Sequence, residues 1–285
     1  KISYGRNLKW SLIRKIPTIV RAVHKERLLI QEYVHQNPDV VGIISDNRFG
    51  CYYTKIPSVY ITHQLNVLSG FLTPVTSYFH HRIIRKFNEC WIPDEENSVY
   101  SCKLSRSSKN LNQKYIGILS RFKKQELPQD IDVLILLSGP EPNRAQLEIK
   151  LTSIFKTSSK KVYLIQGVVE KTQKITKINQ LTIVNFMLTN ELDKILNSSK
   201  LVICRSGYSS VLDLVSLNKK ALLIPTKFQN EQEYLAKHLY EKKYFSYVKE
   251  KEVNKKIVDV LPKLTPVNFK KKVFNSALFH LFHGK

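Results

Sequence analysis

The residues best suited to chemistry fall in one run, Val202-Ile203-Cys204-Arg205-Ser206-Gly207-Tyr208-Ser209-Ser210-Val211-Leu212-Asp213-Leu214. An apolar β-type segment, Leu201 to Cys204, breaks at Ser206-Gly207. Val211, Leu212, Leu214 and Val215 then return at helical spacing, so the run reads as strand, tight turn and helix. Such a turn binds anions. The first helical N–H groups have no partner inside the helix, and the positive end of the helix dipole points at the turn. Gly207 lets a ligand approach the backbone, and Ser206, Ser209 and Ser210 add hydroxyls. A diphosphate fits that description, and Asp213, farther along the helix, is suited to accept hydrogen bonds from a ribose diol. Taken alone, the same residues fit equally well an ordinary strand-to-helix turn with Ser206 as its N-cap.

Further polar groups collect where other apolar runs end. Ser138-Gly139-Pro140-Glu141-Pro142-Asn143-Arg144 follows one run; Gly139 frees the backbone there, and Arg144 at a helix start is suited to a phosphate. Asn185-Phe186-Met187 follows another, with a flat apolar side chain and backbone amides for a nucleobase. The loop after Pro225 leads to Glu231-Gln232, which together with Asp213 are the groups expected to face sugar hydroxyls. In the first half, Val40 to Ile44 ends in Ser45-Asp46-Asn47-Arg48, and Ser58 to Thr62 ends in His63. Asp46 and His63 are the candidate base or acceptor contacts, though each singly fits a plain cap. His80-His81 are neighbours facing different sides of a helix, a poor metal pair. No metal site is read.

The elements that must hold these groups follow from periodicity. Residues 8–36 read as one or two basic amphipathic helices with Pro17 at a kink, and Trp10 between Lys9 and Arg14 suits an acidic membrane face as well as a helix packed on a sheet. The run 40–44 reads as a strand buried on both faces. Residues 71–87 read as helix, 90–94 as strand and exit, and 97–112 as loop. The second half alternates: strands at 133–137, 162–166, 181–185, 201–204 and 221–225, with helices near 143–156, 190–197, 208–217 and 230–242. That alternation implies right-handed βαβ units and a parallel, doubly wound sheet, hence an α/β fold of two Rossmann-like domains. The expected division is a partial domain over 1–120, a ligand-binding domain over 121–265 and a C-terminal helix over 266–285.

Composition bounds the function. The chain has 285 residues, 42% of them hydrophobic, and 46 Lys+Arg against 23 Asp+Glu give a formal net charge of +23. The balance favours an anionic partner: nucleic acid, an acidic membrane face or phosphorylated ligands. No nucleic-acid motif is present and the aromatics are not interleaved with basic residues as a stacking platform would be, so nucleic acid is not the expected partner. Cys51, Cys90, Cys102 and Cys204 form no C-x-x-C pair and read as free thiols of a reducing compartment. No window approaches 18 uninterrupted apolar residues and no signal-peptide core opens the chain, which points to a soluble or peripheral protein. The chain opens without Met inside a helical segment, so the amino-terminal domain reads as truncated.

At these residues the chain resembles a family. VICRSGYSSVLDL at 202–214, then ALLIPTKFQNEQEYLA at 221–236, with SGPEPNR at 138–144, is similar to the carboxyl-terminal domain of GT-B glycosyltransferases of family 28. The branch it resembles holds the lipid-linked N-acetylglucosaminyltransferase of peptidoglycan synthesis. In the first half, VYITHQLN at 59–66 is similar to that family's strand and His-containing loop. The resemblance implies that Ser206 and Gly207 meet the diphosphate of a nucleotide sugar, Asp213 its ribose and Gln232 its sugar. Leu235 stands where the family usually has Asn, Ser138-Gly139-Pro140 where it has Gly-Gly-Ser, and its first strand with a Gly-His loop has no counterpart.

The expected function is transfer of a sugar from a nucleotide diphosphate sugar, uridine-linked on the resemblance, to a saccharide or lipid-linked acceptor in an interdomain cleft. The nucleotide sugar is a substrate, so no cofactor is expected. Helix ends, helped by Arg144 or Arg205, are expected to stabilise the leaving diphosphate without a metal. Ser138, Gly139, Phe186, Met187, Tyr208, Ser209 and Glu231 complete the expected donor site. The expected place is the cytoplasm, at the inner membrane face. A nucleotide-sugar hydrolase or epimerase of the same architecture, and a non-catalytic basic module binding nucleic acid or anionic lipid, stay open as alternatives.

Overall fold

The computed structural model describes residues 8–106, 111–261, 269 and 276–283. It divides into two compact units, one over Gly5–Leu119 with Lys271–Lys285, the other over Ser120–Lys270.

The first unit begins with α1 (Leu8–Gln36) and builds a parallel sheet from β1 (Ile43–Asp46), β2 (Ser58–Ile61), β3 (Glu89–Ile92) and β4 (Gln113–Tyr115), in the order β1-β2-β3-β4, with α2 (Thr73–Ile84) between β2 and β3. Period-two alternation sorts its side chains onto two faces. Tyr60, Cys90 and Ile92 pack with Leu65, Ile84 and Phe87 on one, and Val59 and Trp91 pack with Ile116 on the other. The second face is covered by a 3₁₀ segment, Ser276–Phe282, whose Phe279 and Phe282 rings meet Trp91 edge-on at 5.9 and 6.2 Å. The described part of the C-terminal helix expected over 266–285 is this 3₁₀ segment; residues 266–268, 270–275 and 284–285 of that reading lie outside the described residues. The first strand also differs from expectation. It begins three residues later, at Ile43, and lies at the sheet edge with one side open, Ile44 being 47% and Val41 63% exposed.

After β3 the chain turns around a buried carboxylate. Asp94 is fully buried and accepts hydrogen bonds from the backbone N–H of Glu95, Tyr100 and Ser101 and from the Ser101 hydroxyl. Ser101 in turn meets the Ser105 hydroxyl, and Tyr115 donates to the Ser105 carbonyl. The stretch expected as open loop is therefore folded in part around one side chain. A buried charge is tolerable here because donors surround it.

The second unit holds β5 (Val133–Leu136), α3 (Asn143–Phe155), β6 (Val162–Ile165), β7 (Ile175–Ile178), β8 (Leu181–Val184), α4 (Thr189–Asn197), β9 (Leu201–Cys204), α5 (Tyr208–Ser216), β10 (Lys220–Leu223), α6 (Asn230–Glu241), β11 (Ser246–Tyr247) and α7 (Ile257–Val260). Its sheet runs β11-β10-β9-β5-β6-β8-β7, parallel throughout except that β7 pairs antiparallel with β8. The βαβ expectation holds for the inner strands. β7 was not expected, because all its residues are exposed and it has no buried face to print on the sequence. The central strands are buried on both faces: Val133, Ile135, Val162, Leu164, Leu201 and Ile203 share one core with Leu147, Leu151 and Phe155 of α3. The chain leaves β5 towards β6 and β8 on one side, then crosses back to lay β9 and β10 on the other. The ends of β5 and β9 thus flank the point where strand order reverses.

Replacing Asp94 with alanine strands several buried N–H groups, so Asp94→Ala is expected to lower the stability of the first unit by about 3 kcal/mol. Urea unfolding followed by tryptophan fluorescence would show it, and an unchanged midpoint would mean that the turn is held by something else.

Candidate functional site

In the second unit three adjacent strands end level. Leu136 of β5 and Leu223 of β10 both register with Cys204 of β9, so the turns after these strands open side by side. Next to them lies a cleft of about 260 Å³, whose lining includes Arg121, Ser138, Phe186, Met187, Ser210 and Asp213. The fold therefore gathers Ser138, Phe186, Met187 and Asp213, which are scattered in sequence, around one space.

Asp213 sits in the middle of α5, half-buried, and accepts a 2.6 Å hydrogen bond from the Ser120 hydroxyl. Burial raises its pKa above the ordinary carboxylate range, against the opposing pull of Ser120 and the Arg121 charge. Phe186 and Met187 offer half-buried apolar surface. The Phe186 backbone is already engaged, its N–H with the Asn185 side chain and its carbonyl with Gln173, so that amide is not free for a base.

The start of α5 is open. Gly207 is its N-cap, no side chain caps it, and a Cβ built on Gly207 would meet nothing within 4 Å. With φ −70° and ψ 142° the residue needs no glycine for its backbone either. Neither conformation nor packing explains the glycine, and the uncapped N–H groups present a positive end to that space. Ser209 is exposed and Ser210 half-buried on the first turn; Tyr208 is buried, so only its backbone can serve a ligand.

Four residues expected on the ligand are committed within the protein. Ser206 does not cap α5; it is fully buried and its hydroxyl donates to the Gln232 carbonyl at 2.8 Å. Gln232 is buried too, its Oε1 accepting the Thr226 N–H at 2.9 Å. Arg205 is 1% exposed: Nη1 pairs with Glu250 at 2.6 Å and reaches the carbonyls of Ile224 and Pro225, and Nη2 reaches the carbonyl of Asn143. Its Nε has no partner among the described residues. Arg144 lies between Glu141 and Glu148, 2.5 Å from each, and these carboxylates hold its pKa up although burial opposes them. Neither arginine is left for a phosphate. Gly139, with φ +106°, is exposed in a left-handed turn that favours glycine. Glu231 is half-buried in the first turn of α6.

In the first unit Asp46 closes β1, exposed, and His63 follows β2, half-buried, so both stand at the carboxyl edge of one sheet. Arg48 is drawn off to Glu26 at 3.0 Å. His80 is buried, and burial pushes its pKa down to about 4, while His81 Nε2 lies 3.1 Å from the Leu65 carbonyl. The chain does contain one Asp-x-Asp spacing, Asp130-Ile131-Asp132, but it stands before β5, and its carboxylates pair with Lys161 and Lys200. No cluster of metal-ligating side chains occurs among the described residues. Sequence reasoning passed over Ser120 and Arg121, at the expected domain boundary, and Thr226, which lies inside the quoted run 221–236 but was given no role.

The profile described as "Glycosyltransferase family 28 C-terminal domain" matches residues 105–277. Among curated relatives, the UDP-N-acetylglucosamine–N-acetylmuramyl-(pentapeptide) pyrophosphoryl-undecaprenol N-acetylglucosamine transferase of Alkaliphilus metalliredigens is 25% identical over 281 residues, covering 89% of this chain and 71% of that protein. Among solved structures, the glycotransferase of kitacinnamycin aligns over 88% of this chain and 74% of its own, with TM-score 0.61 and 11% identity. A spinosyn rhamnosyltransferase complexed with thymidine diphosphate aligns over 86% of this chain and 72% of its own, with TM-score 0.53 and 10% identity. At such identities the structures speak for the fold, that of GT-B glycosyltransferases. With the profile covering more than half of its residues, this chain belongs to glycosyltransferase family 28.

Proposed function

We propose that this enzyme moves a sugar from a uridine diphosphate donor to a hydroxyl of a saccharide or lipid-linked acceptor in cell-envelope glycan synthesis. One observation carries the reading: the cleft lined by Phe186, Met187 and Asp213 adjoins the uncapped, open start of α5 at Gly207. Apolar surface for a base, a carboxylate for a ribose and a helix end for a diphosphate then stand in the order of the donor's own parts. The relative from Alkaliphilus, named for a uridine-linked donor and a lipid-linked acceptor, supports the same chemistry.

In the transfer the acceptor oxygen forms its bond to the anomeric carbon as the bond from that carbon to the diphosphate oxygen breaks. The electron pair leaves with the diphosphate, and the acceptor proton passes to a general base. The charge that grows on the diphosphate is met by the N–H groups and dipole of α5, fixed before the reaction starts. Asp46 and His63 are the base candidates, and the reading requires no cofactor. We place the enzyme on the cytoplasmic side of an anionic membrane. No helix among the described residues is long and apolar enough to cross one. α2 supports peripheral contact: Val75, Tyr78 and Phe79 share one face at 53–60% exposure, and exposed Arg82, Arg85 and Lys86 follow them.

Calorimetric titration with uridine diphosphate is expected to show binding that Gly207→Val abolishes with the fold intact, since its side chain fills the space at the helix end. Equal binding by the variant would remove the diphosphate from that position. Asp213 gives a signed expectation. Its raised pKa means that the stability it contributes is full below the ordinary carboxylate range and is lost as pH rises through the folded value, so at pH 7 its charge burdens the fold. Asp213→Asn, which keeps an acceptor for Ser120, is expected to hold or raise Tm at pH 7 while weakening uridine diphosphate about tenfold. Wild-type affinity should fall as pH drops through the raised Asp213 value and protonates the carboxylate, and a pH-independent affinity would take the ribose away from it. Vesicles rich in phosphatidylglycerol should sediment the protein but not a Val75→Glu, Phe79→Glu variant; equal sedimentation would clear α2 of membrane contact.

A further inference from the structure

We infer that the Thr226 hydroxyl binds the distal phosphate of the donor's diphosphate, from the turn after β10. The inference rests on the donor-site reading above. Thr226 is 1% exposed, and its Oγ1 is buried with no hydrogen-bond partner among the described residues. A buried hydroxyl left in that state costs about 1–3 kcal/mol, and valine, of the same shape, would avoid the cost. Such orphans in a folded protein call for a missing partner.

The surroundings say where that partner sits. Leu136, Cys204 and Leu223 stand level across β5, β9 and β10, and three residues beyond each come Gly139, Gly207 and Thr226. A Cβ built on Gly207 would meet nothing within 4 Å, and one built on Gly139 would meet only Thr226 Oγ1, at 3.9 Å. The turn after β5 therefore faces the orphan hydroxyl across the Gly139 position, and the turn after β9, beside both, is unfilled at Gly207. The N–H groups of α5 start at that neighbouring turn without a capping side chain. An anion there would take the helix amides and the Thr226 hydroxyl together.

Thr226 is also held in place with unusual care. Its N–H is fixed by Gln232 Oε1 at 2.9 Å, the carbonyls of Ile224 and Pro225 are fixed by Arg205, and Gln232 is itself anchored by Ser206. Three side chains expected on the ligand act instead on this turn. Strand order assigns the phosphate. From Phe186 after β8 the site crosses β6, then Gly139 after β5, Gly207 after β9 and Thr226 after β10. With the base at the β8 end and the ribose at Asp213, the β10 end falls to the phosphate farthest from the ribose.

The test compares wild type, Thr226→Val and Thr226→Ser by calorimetry with uridine diphosphate and uridine monophosphate, alongside thermal unfolding. Thr226→Val is expected to keep or raise Tm, to weaken the diphosphate about tenfold, which is one lost hydrogen bond, and to leave the monophosphate unchanged. Thr226→Ser should restore diphosphate affinity. Wild-type affinity in Thr226→Val, an equal loss for both nucleotides, a fall in Tm or failure to fold would each overturn the assignment. A loss seen only with UDP-N-acetylglucosamine would overturn it in favour of a sugar hydroxyl. If the wild type binds no uridine nucleotide, the donor-site reading falls and takes this inference with it; if the wild type binds and Thr226→Val is indifferent, only the inference falls.

Discussion

A buried guanidinium holds the second unit's working edge together. Arg205, 1% exposed, must have its charge answered inside the protein, and Glu250 answers it at 2.6 Å. To do so it reaches from the end of β9 to the carbonyls after β10 and to the first residue of α3. Three turns that the sheet merely sets side by side are thereby tied to one another. Removing the arginine would leave Glu250 and three carbonyls unanswered, so the geometry of the edge and the stability of the fold hang on the same group.

That commitment changes how the site handles negative charge. The chain carries a formal +23, yet the two arginines nearest the strand ends are both neutralised by glutamates. Apart from Arg121 in the cleft lining, what the edge offers an anion is neutral: helix N–H groups at Gly207 and hydroxyls on a rigid frame. Fixed dipoles need no reorganisation as charge develops, which suits a leaving diphosphate better than mobile lysines would. The excess of lysine belongs to the exposed surface, where it shapes encounters with anionic partners.

The first unit solves a different problem. Its four strands end at β1 and β4 among the described residues, and its second face depends on Phe279 and Phe282 from the far end of the chain to cover Trp91. Asp94 organises the segment that returns to β4, and Cys90, like Cys204 in the other unit, is a buried thiol whose pKa burial pushes up to about 12, so neither is reactive at neutral pH.

Local chemistry determined much of this from sequence alone. The apolar runs at 133–137, 162–166, 181–185 and 201–204 are buried on both faces, so every residue reports the environment and the strands are legible. The turn at Ser206-Gly207 breaks the pattern sharply enough to mark the start of α5. β1, β4 and β7 were misplaced or missed because one-sided or exposed strands carry no such continuous signal. Side-chain allegiance was decided only by tertiary structure. Ser206, Arg205, Gln232 and Arg144 have the types a phosphate or sugar would attract, but burial forces each to find an internal partner, within a few residues for Arg144 and Gln232 and tens of residues away for Ser206 and Arg205. Conversely, Thr226 lies in the quoted run 221–236 among residues that drew the attention to Glu231 and Gln232, and Ser120 and Arg121 lie at the expected domain boundary. Sequence determines which groups can bind an anion; only the folded chain decides which of them have already spent that capacity on the protein itself, because a buried polar group is satisfied by whatever stands nearest in space.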